Sequence, residues 1–203
     1  MKTHPGGIEG TDRAITRCTL PPHALVLDLG CGTGSTVRHL RHTHGFHAWG
    51  IDSDPVRDGE SGGVIHARAE QLPFAGACAD AVLMECSFSL MQHPGAVLDE
   101  CRRVLKPDGI LIVSDMIARG EPARLNGCLG RIERQETVLT RLERGGFSIE
   151  DVEDLTEDLI RQWGQMILDR NAERFYREIG ADAAMLRRIR CGYCRITSRR
   201  RHA

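Results

Sequence analysis

Three glycines at alternate positions follow an apolar run in the segment LVLDLGCGTGS, residues 25–35. Gly30, Gly32 and Gly34 allow the backbone to turn sharply after a buried strand and allow a ligand to approach it without Cβ atoms in the way. A dinucleotide fingerprint would place its third glycine at position 35, which is Ser35, and a P-loop would include a lysine. The segment therefore predicts a ligand-binding loop of neither of these two kinds.

An acidic residue, Asp52, stands at the end of the next apolar run, HAWGID. A carboxylate at the end of the strand that follows a glycine loop can accept hydrogen bonds from both hydroxyls of a ribose. Together, the glycine loop and Asp52 predict a nucleoside ligand that carries no pyrophosphate.

The chain has 203 residues, of which 41% are hydrophobic, and a formal net charge of -1. This length suffices for one well-filled core, so we expect a single domain over residues 1–203, with an N-terminal segment over 1–22 and a helical lid or insertion over 154–190. The N-terminal residues lack the apolar core of a signal peptide, and no apolar stretch approaches the ~20 residues that a bilayer requires. The sequence therefore predicts a cytoplasmic protein with no membrane partner.

Eight cysteines are scattered among helix and strand patterns, which does not resemble a disulfide framework. We therefore expect reduced thiols and no resident metal ion. The segments RRIR and SRRRH are locally basic, but the overall charge is near neutral, which favours a solvated face over a nucleic-acid site. Nucleic acid is not an expected partner, and the sequence indicates no oligomeric state.

Apolar runs of strand length alternate with helical patterns, which is typical of a parallel α/β sheet. The predicted strands span 25–29, 47–51, 63–66, 81–86, 109–115, 147–152 and 192–197. Helices are predicted over 33–44, 94–105 and 134–144, and the pattern from 154 to 190 is helical with one buried face. The glycine loop and Asp52 each stand where a predicted strand ends.

Five ordered motifs occur between residues 25 and 115: VLDLGCGTG, WGIDSDP, AEQLPF, DAVLMECSFSL and CRRVLKPDGILIVSD. They resemble the class I S-adenosylmethionine-dependent methyltransferases, in the type 11-like branch with an LPF loop after the third strand, and the resemblance continues in LERGGF and GYCRITSRR. It implies a Rossmann-like, doubly wound α/β fold with a mostly parallel seven-stranded sheet, an antiparallel last strand and a helical insertion before it. It also implies a methyltransferase with S-adenosyl-L-methionine as its cofactor.

Carried onto this sequence, the resemblance implies a cofactor site formed by Asp28, Gly30, Cys31, Gly32, Gly34, Asp52, Ser53, Ala69, Glu70 and Glu85. In that site Asp28 and the glycine loop hold the methionine part and Asp52 holds the ribose, while Ala69 and Glu70 border the adenine. Cys31 is expected to be a small residue that fits the loop. One departure stands out, because Arg68 replaces the aspartate with which the family usually accepts the adenine amino group. Arginine has no acceptor, so adenine recognition must use the backbone or another side chain.

The acceptor of the methyl group is indicated less directly. The signatures of DNA methyltransferases, Asn-Pro-Pro-Tyr and a Pro-Cys nucleophile, are absent from the sequence, so a small molecule is the expected acceptor. Glu85 and Cys86 end the fourth predicted strand, where the resemblance places the reactive methyl group. If the acceptor were a hydroxyl or an amine, His93, Glu85 or Asp115 would be candidates for the general base.

Two cysteines point to a soft nucleophile. The surroundings of Cys86 and Cys128 resemble segments of arsenite methyltransferases, and Cys18 is a loose candidate for that family's third cysteine. Three thiolates can cage trivalent arsenic, whose own lone pair is the nucleophile, so that no general base is required. The resemblance thus assigns Cys86, Cys128 and Glu85 catalytic roles, with Cys18 as a further metalloid ligand, while a thiol or another small acceptor stays equally open. Buried cysteines also serve as small apolar residues. The alternative function is an accessory or sensor protein that binds the cofactor or a thiophilic ion without catalysis.

Two other clusters are not interpreted as functional. Cys191 and Cys194 form a C-x-x-C spacing, but it falls inside the last predicted strand and no second such motif occurs. The four histidines His39, His42, His44 and His47 lie on or just after the first predicted helix, where surface positions are expected.

Overall fold

A computed structural model describes residues 4–54, 62–126 and 129–202 of the chain. Its helices are α1 (Gly7–Arg17), α2 (Ser35–His44), α3 (Pro94–Val104), α4 (Gln135–Arg144), α5 (Thr156–Arg170), α6 (Ala172–Ile179) and α7 (Ala183–Ile189). Its strands are β1 (Leu25–Leu29), β2 (His47–Asp52), β3 (Val64–His66), β4 (Ala79–Glu85), β5 (Leu105–Ala118), β6 (Ala123–Arg124), β7 (Arg131–Arg134), β8 (Phe147–Asp154) and β9 (Cys191–Arg200).

Seven of these strands form the main sheet in the order β3-β2-β1-β4-β5-β9-β8. The pairs among β1 to β5 are parallel, and β9 runs antiparallel to both of its neighbours. The mostly parallel, doubly wound sheet with an antiparallel last strand is therefore confirmed. The short strand β7 pairs with the end of β5 and carries β6 as an antiparallel partner. The sequence patterns did not predict this hairpin, because strands of two and four residues are too short to show a periodicity.

Alternating residues of β1 supply the two cores. Leu27 and Leu29 pack into an apolar cluster with residues of α3 and α4, whereas Val26 packs on the other face with residues of α1 and α2. This division follows from the geometry of a strand, in which successive side chains point to opposite faces. Both faces of the sheet are therefore covered by helices, and ligands of such sheets bind beyond the carboxyl ends of the strands.

The helical segment before the last strand was predicted as one stretch, and it forms three helices. Asn171 and Gly180 separate them, both with a positive φ (65° and 68°), and a helix cannot continue through this backbone conformation. A third apolar cluster joins these helices to the carboxyl end of β5 and the start of β9, with Met116, Phe175 and Tyr193 among its members. The helices therefore cover the end of the sheet at which the glycine loop lies.

In the N-terminal segment, for which the sequence patterns predicted no helix or strand, residues 7–17 form the helix α1. Its apolar residues Ala14 and Ile15 are buried against the sheet face that α2 also covers. None of the helices in the described residues is both long and apolar enough to span a bilayer.

Candidate cofactor and acceptor site

A cavity of about 800 Å³ opens beyond the carboxyl ends of β1, β2 and β4. Nine of the ten residues expected around the cofactor line it: Asp28, Gly30, Cys31, Gly32, Asp52, Ser53, Ala69, Glu70 and Glu85. The tenth, Gly34, immediately precedes α2 and has a left-handed backbone with φ 74°. The residues that the resemblance groups together therefore lie around one space in the folded chain.

The glycine loop is shaped by its packing against the segment after β4. A Cβ atom on Gly30 would lie 2.4 Å from Cβ of Ser87, and Gly30 itself has φ 78°, so no larger residue fits. The Ser87 hydroxyl donates to the carbonyl of Leu29 at 2.6 Å, which fixes the two segments together. At Gly32 the opposite holds, because a Cβ there would meet no atom within 4 Å. Gly30 therefore serves packing, and Gly32 leaves the backbone open toward the cavity.

Cys31 fills space inside the loop. A Cβ atom added to Gly50 of β2 would lie only 2.4 Å from Sγ of Cys31. The sulfur therefore occupies the volume that a side chain at position 50 would need. Burial strongly raises the pKa of the Cys31 thiol, which is therefore protonated at neutral pH. Both observations agree with the expectation that Cys31 is a small residue fitted to the loop.

Asp52 connects the loop to β2. Its Oδ2 accepts from the backbone N–H of Gly32 at 2.7 Å, and its Oδ1 accepts from the backbone N–H of Asp54 at 2.9 Å. Each carboxylate oxygen has a second lone pair, so the pair can still accept two hydroxyl groups from the cavity side. The side chain is thus held in the orientation that binding a ribose diol would need.

The carboxyl group of Asp28 lies at the bottom of the cavity with only 4% of the residue exposed. Burial, together with the charge of Glu85 and against the opposing effect of His4, raises the pKa of this carboxyl to about 8. A cation placed beside Asp28 would lower the pKa of its carboxyl group, since a nearby opposite charge favours the ionised form. Asp28 is therefore suited to receive a positively charged group.

Glu85 ends β4 inside a network that α1 and α2 complete. The Thr11 hydroxyl lies 3.0 Å from each carboxylate oxygen of Glu85, the Thr36 hydroxyl donates at 3.4 Å, and His4 Nε2 lies 3.2 Å away. Burial acts to lower the pKa of His4, but the hydrogen bond to Glu85 and its charge outweigh this, so the pKa is raised. Sequence reasoning missed His4, Thr11 and Thr36, and no motif marks the first two.

Cys86 borders the same cavity in an uncommon backbone conformation. Its φ is 54°, and its backbone N–H donates to the carbonyl of Ser114 at 2.7 Å. The Sγ atom lies 3.6 Å from the hydroxyl of Tyr193, a fully buried residue of β9 in the third apolar cluster. Non-glycine residues with positive φ persist only where the surroundings enforce them. The side chain of Cys86 is therefore positioned where β4 opens into the cavity.

Of the two other cysteines proposed as metalloid ligands, Cys18 lies in a described part of the chain and is remote from Cys86. Cys18 lines a separate cleft with Asp80 and Lys106, at the amino ends of the strands, which puts it about 20 Å from Cys86 along β4. The folded chain thus does not bring Cys18 into a common ligand set with Cys86. Cys128 lies outside the described residues. On β9, Cys191 is half-buried and Cys194 is buried. They are three residues apart, so their side chains face opposite sides of the strand.

Two candidate bases lie outside the cavity lining. Asp115 is buried, and its carboxylate accepts the backbone N–H groups of Ser89 and Met116 at 2.8 Å each. Burial raises the pKa of Asp115 to about 6 despite these bonds, and the side chain holds the segment after β4 in place. His93 is exposed and precedes the first residue of α3. Of the three candidates, Glu85 alone lines the described part of the cavity.

At the far end of the cavity lie Arg68, Ala69 and Glu70. Arg68 Nε is 3.5 Å from Glu70 Oε2, so the arginine pairs with the acidic residue of its own loop. Ala69 is buried and belongs to the core cluster that also contains Leu72. Glu70 carries the carboxylate acceptor that Arg68 lacks.

Comparison with known proteins agrees with this geometry. Residues 27–113 match the family model described as "Methyltransferase domain". An uncharacterized methyltransferase, YodH of Bacillus subtilis, is 32% identical over 119 residues, which cover 54% of this chain and 50% of that protein. The chain thus spans half the length of this relative.

Two solved structures share the fold over nearly the whole chain. The [4+2]-cyclase SpnF has a TM-score of 0.74 and 26% identity, covering 97% of this chain and 81% of that one. Geranyl diphosphate C-methyltransferase from Streptomyces coelicolor, solved with S-adenosyl-L-homocysteine, has a TM-score of 0.78 and 14% identity, covering 95% and 78%. The chain therefore contains a segment similar to methyltransferase domains and shares the fold of a methyltransferase that has been solved with S-adenosyl-L-homocysteine.

Proposed function

We propose that the chain transfers a methyl group from S-adenosylmethionine to a small-molecule acceptor. The observation that carries the proposal is the position of Asp28, the glycine loop, Asp52 and Glu85 around one cavity at the carboxyl edge of the sheet. Fold likeness to a cyclase and to a methyltransferase shows that the fold alone does not define the chemistry. The proposal therefore depends on what the residues in the cavity can bind.

The cavity fits this cofactor part by part. Asp28 presents a buried carboxyl to a cationic group, the open backbone at Gly32 admits a chain beside it, and Asp52 offers two acceptors to a diol. Glu70 offers a carboxylate to the amino group of a base, which replaces the acceptor missing at Arg68. When bound, S-adenosylmethionine supplies a methyl group on a sulfonium sulfur, from which a nucleophile takes it while sulfur keeps the electron pair.

The residues near Cys86 favour an acceptor that arrives with its lone pair available. Glu85 already accepts hydrogen bonds from Thr11 and Thr36 and pairs with His4, and this pairing raises the pKa of His4. Because Glu85 is already engaged by these groups, we do not assign it the removal of a proton from the acceptor. The protein's part is then to position the acceptor and to exclude water.

A thiolate, a metalloid or a neutral amine fulfils this requirement. Among them, the soft acceptors have Cys86 as a contact at the end of β4, where sulfur can bind a thiophilic atom. A cage of three thiolates is not part of the proposal, since Cys18 lies at the other edge of the sheet. The apolar side chains of Leu90 and Met91 border the same opening and would contact the body of the acceptor.

Calorimetry and a transfer assay test the proposal. We expect the protein to bind both S-adenosylmethionine and S-adenosylhomocysteine, and to transfer labelled methyl to at least one of arsenite, selenite, small thiols or small amines. Absence of binding would refute the proposal, and binding without any transfer would support the accessory or sensor function. If a thiophilic substrate is methylated, Cys86→Ser should lower the rate at least 10-fold, whereas Cys78→Ser, at the other end of β4, should leave it unchanged.

A further inference from the structure

A second group of polar side chains converges outside the cavity, between α1 and α2. Asp12 projects from α1, and His39 and His44 project from α2. The Oδ1 atom of Asp12 lies 2.6 Å from Nε2 of His39 and 2.7 Å from Nε2 of His44. His42 and His47 are exposed, as the sequence predicted, but His39 and His44 are half-buried against a carboxylate.

These three atoms have the identity and spacing of a transition-metal site. Imidazole nitrogen and carboxylate oxygen bind zinc at about 2.0–2.2 Å, which separates tetrahedral ligands by about 3.3 Å. The ligand atoms of Asp12, His39 and His44 all lie within 4.8 Å of one another. Widening the two shortest contacts by about 0.6 Å would therefore accommodate an ion, and such a shift is within the freedom of half-buried side chains.

Neighbouring groups hold both rings in place. The Thr43 hydroxyl lies 3.3 Å from Nδ1 of His39, so it can accept the Nδ1 proton and leave the Nε2 lone pair directed at the cluster. The ring of His44 stacks on Phe46, with centroids 5.5 Å apart and planes inclined by 15°. Fixing the second nitrogen or the ring plane of a histidine is the usual function of groups around a metal ligand.

A purely hydrogen-bonded cluster is the competing explanation. In that arrangement each ring is neutral and donates its Nε2–H to the same oxygen of Asp12. A divalent cation would take the place of the two Nε2 protons and bind the same three atoms. The side chains are 20%, 21% and 37% exposed, which allows water to complete the coordination.

We propose that Asp12, His39 and His44 bind a divalent transition-metal ion such as Zn²⁺ and thereby fasten α1 to α2. Asp12 is adjacent in α1 to Thr11, and Thr11 donates a hydrogen bond to Glu85 in the cofactor cavity. An ion at this cluster would therefore stabilise the helix that completes the Glu85 network. Its role is structural, and it takes no part in methyl transfer.

Direct metal binding tests this proposal. Untagged full-length protein, freed of metal with a chelator, is titrated with Zn²⁺ and, separately, with Co²⁺, whose visible spectrum reports its ligands. We expect one ion per chain at low micromolar concentration, and a Co²⁺ spectrum without the thiolate charge-transfer band that cysteine ligands would produce. Asp12→Asn and His44→Gln should each weaken binding at least 10-fold, and His42→Gln, on the same helix, should not.

Asp12→Asn separates the two explanations. Asparagine keeps a hydrogen-bond acceptor of the same size, so a hydrogen-bonded cluster would survive, whereas metal affinity would fall because the charge is lost. A wild-type protein that binds no Zn²⁺ more tightly than Asp12→Asn and His44→Gln would overturn the proposal, as would a Co²⁺ spectrum dominated by thiolate. Circular dichroism of each variant shows whether it is folded before its affinity is compared. We also expect Zn²⁺ to raise the melting temperature of the wild type and of His42→Gln, and not that of Asp12→Asn.

Discussion

The Thr11 hydroxyl lies 3.0 Å from both carboxylate oxygens of Glu85, a residue 74 positions later in the chain. Thr11 is fully buried in α1, and Glu85 is the last residue of β4. The contact ties α1 to a side chain that lines the cofactor cavity. Losing it would leave a buried carboxylate with one donor fewer, which is costly in a poorly solvated site.

Thr11→Val tests this contact. Valine has the shape of threonine but no hydroxyl, so we expect a loss of about 1–3 kcal/mol in the free energy of unfolding and a weaker affinity for S-adenosylhomocysteine. Urea titration and calorimetry measure the two effects. Thr137→Val, on the exposed side of α4, is the matched control and should change neither. Unchanged stability in Thr11→Val would mean that α1 does not depend on Glu85.

The raised pKa of Asp28, about 8, predicts how stability depends on pH. The unfolded chain releases this proton near pH 3.9, so between that pH and about 8 the folded state binds more protons than the unfolded state. The contribution of Asp28 to stability is therefore complete at low pH and is lost as the pH rises toward 8. We expect Asp28→Asn to show a smaller fall in melting temperature than the wild type between about pH 5 and about pH 8. An identical fall in both proteins would contradict the burial of this carboxyl.

Cofactor binding should also release a proton from Asp28. At pH 7 the carboxyl is mostly protonated, and a cation bound beside it favours ionisation. Calorimetry of S-adenosylmethionine binding in buffers with different ionisation enthalpies would then show up to one proton released per ligand. Asp28→Asn should release fewer protons than the wild type. Equal release from the two proteins would place the bound cation elsewhere.

Asp52 is expected to contribute to affinity through its position beside Gly32. Asp52→Ala removes both the ribose acceptors and the hydrogen bond to the Gly32 backbone, so cofactor affinity should fall by about 1–3 kcal/mol. Asp99→Ala, an exposed residue of α3, is the control for the loss of one negative charge. Affinity that is equal in both variants would contradict the assignment of the ribose to Asp52.

Two glycines of the loop should respond differently to the same substitution. Gly30→Ala meets Ser87 and requires a positive φ, so we expect a loss of about 2–5 kcal/mol in stability. Gly32→Ala meets no protein atom, so it should cost about 1–2 kcal/mol, but its methyl group projects into the cavity and should weaken cofactor binding. Urea titration measures the loss of stability in each variant, and calorimetry measures its affinity for the cofactor. Equal stability losses would mean that the packing of Gly30 on Ser87 is not as tight as the structure indicates.

The sheet and the loop were predictable because their determinants are local. Apolar runs, a glycine loop and an acidic strand end occur within short stretches of sequence, and parallel strands bring their carboxyl ends to one edge. For most strands the observed boundaries differ from the predicted ones by a few residues. The strand β5 is longer than predicted and extends from Leu105 to Ala118. The start of β5 is irregular: Asp108 has φ 61°, and Ala79 and Ala81 of β4 pair with Leu105 and Ile110.

The contacts of α1 were not predictable, since they depend on how one helix docks on the finished sheet. Nothing near His4 or Thr11 marks them as partners of Glu85, and nothing near Asp12 marks it as the partner of two histidines in α2. The position of Cys18, by contrast, could have been predicted from the order of the elements. It lies shortly before β1, and a chain must enter β1 at its amino end, which is the edge opposite to Cys86.

Cys31 of the glycine loop and Gly50 of β2 fit together as complementary volumes. A methyl group at position 50 would overlap Sγ and Cβ of Cys31 and approach Val37 at 2.9 Å, so neither position can enlarge unless its neighbours shrink. Size, rather than thiol reactivity, is therefore the property that matters at position 31. Serine or alanine would meet the same steric condition, and oxidation of this thiol to a bulkier form would force the loop away from β2.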